Sequence, residues 1–130
     1  MVAGLGTITP ASGFVGPGGA LIIGISAGII CFYSTVYIKQ KLKIDDSLDV
    51  FPVHGIGGIL GTLLAGVFAS TELGAFSGFG YAEGITTMLG QVTVQLIGIG
   101  STIVYTAVVS YILFKVVALM TKGLRVSKEQ

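Results

Sequence analysis

An all-α fold of membrane-crossing helices is what this sequence predicts, and three observations predict it. Of its 130 residues, 52% are hydrophobic and only 10% carry charge, whereas a typical soluble domain has about 25% charged residues. The mean hydropathy of +0.93 agrees. Three runs, residues 18–38, 50–70 and 84–120, reach the roughly 20 apolar residues that a bilayer crossing needs. Apart from Lys115 near the end of the third run, the basic residues lie in the segments after the first and third runs, as alternating sides of a membrane require.

Met1 to Ile8 is apolar but too short to span, and reads as the last turns of an earlier helix. Residues 1–17 contain no Lys or Arg, so they do not read as the positive n-region of a signal peptide. Thr9 to Gly19 is rich in proline and glycine, which is loop or re-entrant chemistry. The first span, 18–38, is uncharged and contains the chain's one cysteine, Cys31, which cannot form an internal disulfide.

Before the second span stand Asp45, Asp46, Ser47 and Asp49. Carboxylates here suit a helix N-terminus, where N–H groups lack partners and the dipole is positive. A cation site is the competing reading. With Asp49 as cap, Pro52 falls in the first turn, where proline is tolerated. The second span, 50–70, contains one titratable group, His54, the only histidine in the chain. An ionisable side chain in hydrocarbon costs free energy and marks a pathway or relay by default. On a helix, Val50, Phe51, Gly58 and Gly61 or Thr62 share its face. The imidazole both donates and accepts, so it can pass a proton or bond a small polar solute. The competing reading is a bond to a neighbouring helix.

The third span, 84–120, exceeds the hydrocarbon thickness and is expected to tilt or project. Gln91 and Gln95 are expected to bond between helices, and Lys115 to snorkel to the interface. Residues 121–130 begin a polar tail. Gly24-Ile-Ser-Ala-Gly28 and Gly57-Gly-Ile-Leu-Gly61 have the small-xxx-small spacing of close helix contacts. Lys39, Lys41 and Lys43 follow the first span, and Lys122, Arg125 and Lys128 follow the third. Glu72 and Glu83 lie between the second and third, with no basic residue. Basic residues favour the cytoplasm, so the first connection and the C-terminus are expected inside. A net charge of +1 gives no field for nucleic acid. No phosphate loop, metal-ligand cluster or catalytic triad is present in the sequence, so nothing argues for an enzyme, a metal or a cofactor.

Ile8-Thr9-Pro10-Ala11-Ser12-Gly13-Phe14-Val15, then Gly19 to Gly24, then Asp45-Asp46-Ser47-Leu48-Asp49-Val50-Phe51-Pro52-Val53-His54-Gly55-Ile56-Gly57-Gly58 resemble consecutive signatures of the ammonium transporter (Amt/Mep/Rh) family. Gly123-Leu-Arg-Val126 resembles the start of that family's cytoplasmic tail. The Asp-Val-Phe-x-Val-His-Gly segment is the most specific of these. The resemblance implies a homotrimer with eleven membrane helices and one pore per subunit, this chain matching the last three. It implies ammonium or ammonia as substrate and a bacterial inner membrane as location. By the same resemblance, His54 matches the second of two facing pore histidines, Val50 an apolar pore-lining position and Thr9 a threonine near the conducting path. Asp45 and Asp46 match a cytoplasmic turn whose role is structural. The family's first pore histidine, outer aromatic gate and recruiting acidic residue have no counterpart, and the chain stops before the segment that contacts PII-type regulators. The main expectation is therefore a C-terminal portion that works with the remaining helices; Val2 to Ile8, reading as a helix stump, favours it. The alternative is a stand-alone three-span packing or regulatory subunit.

Overall fold

Within the first span, Gly19, Ile23, Ala27 and Cys31 recur every four residues, and that stripe is the buried face of the helix they form. The computed structural model describes residues 1–121 and Gly123, so the basic residues Lys122, Arg125 and Lys128 and nearly all of the expected tail lie outside it. The described residues are helical, with no strand among them. Four α-helices occur in order: α1 (Val2–Ile8), α2 (Pro17–Val36), α3 (Gly57–Phe68) and α4 (Met88–Thr121). Two π-turns, Tyr37–Lys41 and Phe51–Ile56, extend α2 at its end and α3 at its start. Three of the resulting helices, Pro17–Lys41, Phe51–Phe68 and Met88–Thr121, are long and apolar enough to cross a membrane.

The chain divides into two units, the first running from Met1 to Leu96 and the second from Ile97 onward. In the first unit, α1, α2 and α3 pack on one another. Ala11, Ile23 and Ala65 form the buried centre, with Ile8, Val15, Leu64 and Phe68 against it. The buried face of α3 is Gly57, Gly61, Ala65 and Gly66. Lipid tails are as apolar as leucine, so close packing rather than water exclusion holds such helices together. The glycines therefore matter more than their size suggests. The opposite face of α2 leaves Leu21, Ile25, Ile29 and Phe32 exposed, as a lipid-facing stripe does. In the second unit α4 continues with its large apolar side chains exposed, and Lys115 Nζ lies 5.5 Å from the centre of the Tyr111 ring.

Each helix boundary has a local cause. Pro10 leaves α1 without a donor, and the chain tightens into a 3₁₀ turn, Thr9–Ala11. Pro17 sits at the start of α2, where no donor is needed. α4 starts at Met88 rather than Gly84, because Gly84 has φ +82 and the Thr87 hydroxyl accepts from the Gly90 N–H at 3.1 Å, capping the helix there. Among the described residues Gln91 bonds to a loop and not to another helix: its Oε1 accepts from the Ala82 N–H in the preceding loop, at 3.0 Å. That loop is stitched to the end of α3 and to the first proline–glycine segment. The N–H of Gly78 donates to Ser70, that of Gly80 to Ala69 and that of Phe79 to Phe14.

Candidate functional site

His54 lies in the π-turn Phe51–Ile56. Pro52 sits in its first turn, where the missing N–H leaves no ladder bond unmade. The remaining free donors are all met. Asp46 accepts from the Val50 N–H through Oδ1 at 2.9 Å and from the Phe51 N–H through Oδ2 at 2.8 Å. The Val53 N–H donates to the Asp49 carbonyl at 3.0 Å. At the far end the Gly57 N–H is shared between the carbonyls of His54 and Pro52 as the ladder returns to α-spacing. Single π-turns of this kind are frequent at functional sites.

The acidic residues therefore divide their work differently from the expectation that all three cap. Asp46 is the capping carboxylate, accepting from the N–H groups four and five residues on. The Phe51 and Val50 N–H groups hold its carboxyl below the usual carboxylate range, with Lys39 adding a smaller attraction. Asp49 contributes only its backbone carbonyl, since its φ of +55 turns the side chain toward Lys39, whose Nζ lies 2.7 Å from Oδ1. Asp45 makes no hydrogen bond or ion pair among the described residues.

Of the residues expected on a pore, His54 and Val50 lie one turn apart and both are exposed. The His54 ring borders α1: a methyl group added at Gly6 would lie 3.8 Å from Nδ1. Thr9 is exposed on the 3₁₀ turn, and its hydroxyl donates back to the Leu5 carbonyl at 2.8 Å. The threonine buried near the π-turn is Thr7, which the sequence did not single out. It is 0% exposed, and its hydroxyl lies between Gly57 and the Cys31 thiol. The available signal was the facing pair Gly57 and Gly61, which implies a close partner but does not name it.

The contact itself is a backbone one. A Cβ at Gly61 would overlap the Thr7 carbonyl oxygen, and one at Gly57 would come within 2.8 Å of Thr7 Oγ1 and 3.3 Å of Cys31 Sγ. By contrast, Gly24 and Gly28 have no neighbour within 4 Å. A groove of about 460 Å³ at the end of α2 is lined by Tyr33, Tyr37, Lys41 and Ile56 and not by His54. Among the described residues no three His, Cys, Asp or Glu side chains are grouped to hold a metal.

An intramembrane histidine on a π-turn capped by Asp46 thus lies on a three-helix core. The family profile described as Ammonium Transporter Family matches residues 1–130, the whole chain. The chain belongs to the ammonium transporter family. It is 43% identical to a putative ammonium transporter of Methanothermobacter thermautotrophicus over 130 residues, covering 99% of this chain and 31% of that protein. It is 37% identical to an ammonium transporter of Bacillus subtilis over 129 residues, covering 99% of this chain and 31% of that protein. An ammonium transporter of Aquifex aeolicus is 39% identical over 130 residues, covering all of this chain and 29% of that protein. This member of the family thus spans about a third of the length of the curated relatives it matches.

Proposed function

We propose that this chain acts in ammonium or ammonia transport, as the C-terminal portion of a transporter in which His54 lines the conducting path. The observation that carries the reading is the family match over residues 1–130, combined with the chain's single histidine on a π-turn within an apolar span. His54 then serves as donor and acceptor to a small polar solute, the chemistry a neutral imidazole offers at its two nitrogens. Val50, exposed one turn earlier, gives the path an apolar wall, and Thr9 stands near its course. Asp46 fixes the start of the π-turn, and Asp45 and Asp49 belong to the same structural turn.

In this reading the remaining helices of the transporter complete the path, and the assembled protein is a homotrimer. Lys39, Lys41 and Lys43 and the C-terminus face the cytoplasm of a bacterial inner membrane, where a PII-type regulator has access. The charge distribution of the connections supports that orientation. The test is a chimera carrying this segment in a complete transporter. His54→Ala is expected to abolish uptake of labelled methylammonium; unchanged uptake would remove the pore role.

A further inference from the structure

The imidazole of His54 has one backbone neighbour that the transport reading leaves unused, namely α1 at Gly6. The absent side chain there leaves space that a methyl group would fill at ordinary contact distances, 3.8 Å from Nδ1 and 3.7 Å from the Val53 carbonyl oxygen. One residue on, Thr7 is fully buried, with its hydroxyl beside the Cys31 thiol and pressed toward Gly57, where the π-turn ends. One turn further along α3, Gly61 receives the Thr7 carbonyl with no room for a Cβ. Gly6 and Thr7 are adjacent on a rigid helix. The close approach at Gly57 and Gly61 therefore sets how near Gly6 comes to the imidazole.

We propose that α1 positions His54: Gly6 leaves the imidazole a methyl-sized space beside α1, and the seating of Thr7 on Gly57 and Gly61 holds that boundary in place. The inference deepens the transport reading and rests on it for its functional meaning, but the geometry stands without it. A side chain at Gly6 that goes beyond Cβ adds carbons about 1.5 Å further along each bond, into the space of Nδ1. Alanine fits and leucine does not. An alanine at Gly61 leaves residue 6 unchanged and moves it away with the rest of α1.

The test uses the fact that His54 is the only histidine. The full chain, labelled with 15N-histidine and reconstituted in lipid, gives one Nδ1 and one Nε2 resonance. Gly6→Leu and Gly61→Ala are expected to shift the Nδ1 resonance. Gly6→Ala is expected to leave it in place, and so is Gly4→Leu, since Gly4 lies on the same helix with nothing within 4 Å. Helicity by circular dichroism checks folding, and if Gly6→Leu loses it, Gly61→Ala carries the test. An unmoved Nδ1 in folded Gly61→Ala overturns the proposal, as does a Gly4→Leu shift as large as that of Gly6→Leu. The outcome separates from that of the transport reading. Shifted Nδ1 with uptake unaffected by His54→Ala supports positioning and removes the pore role. Unshifted Nδ1 with uptake lost in His54→Ala overturns positioning and keeps the pore role.

Discussion

Gly61→Ala tests the central packing of the chain with a single methyl group. The added carbon would overlap the Thr7 carbonyl oxygen, with the Thr7 carbonyl carbon 2.8 Å away and its Cα 3.3 Å away. Carbon and carbonyl oxygen rest about 3.3–3.6 Å apart where backbones touch through Cα–H contacts, so α1 must retreat by on the order of 1 Å. Thr7 cannot rotate out of the way, because the atoms in conflict are backbone. Overpacking of this kind costs about 1–3 kcal/mol, and in lipid no gain in water exclusion offsets lost packing. Gly58→Ala on the same helix is the control: Gly58 has nothing within 4 Å, and replacing a helical glycine by alanine stabilises by roughly 0.5–1 kcal/mol. Unfolding by a denaturing detergent in mixed micelles, followed by circular dichroism, measures both. Gly61→Ala is expected to unfold earlier than the parent and Gly58→Ala slightly later. Equal midpoints for the two variants would refute the claim that the Thr7 carbonyl seats on Gly61.

Two other outcomes follow from the loop between α2 and the π-turn. The Asp46 carboxyl is held below its ordinary value, so its capping contribution is fully present above the unfolded-state pKa and is lost as pH falls through the lower folded value. The protection factors of the Val50 and Phe51 amides against hydrogen exchange are expected to fall across that acidic window, and Asp46→Ala to show the low protection at every pH; pH-independent protection in the parent would contradict the cap. For the orientation, a cysteine in place of Gln40 is expected to resist an impermeant thiol reagent added outside intact cells and to react in inverted vesicles. Labelling from outside would reverse the assigned sides.

Much of the fold can be read from the sequence because the solvent is hydrocarbon. Apolar runs then mark the helices directly, and three helices of spanning length lie on the three runs. His54 was conspicuous for the same reason, being the one titratable group in its run. The turn that carries it was less legible. Pro52 pointed to a disturbance, yet whether it falls in a first turn or kinks a helix depends on which carboxylate caps, and Asp46, three residues before Asp49, takes that role. Three-residue choices among neighbouring aspartates are set by backbone geometry, here the positive φ at Asp49, which composition does not encode. The glycine pairs show a second limit. Gly24 with Gly28 and Gly57 with Gly61 have the same spacing, yet only the second pair meets a neighbour among the described residues. Spacing specifies that a face is small, and the partner's path decides whether anything approaches it. Thr7 went unnoticed because a buried threonine in an apolar stretch has no pattern of its own.

The π-turn at Phe51–Ile56 also has a bearing on insertions and deletions. A turn closed by bonds five residues apart holds one residue more than an α-turn of the same rise. Removing a single residue from it would restore a regular ladder while leaving α3 beyond Gly57 in its seat against α1. The segment around His54 is thus the place in this helix where a one-residue length change is least disruptive to packing. It is also the place where such a change does most to the imidazole, which would swing round the helix axis by about a quarter turn. A shortened variant of this kind would keep its fold and lose its aim.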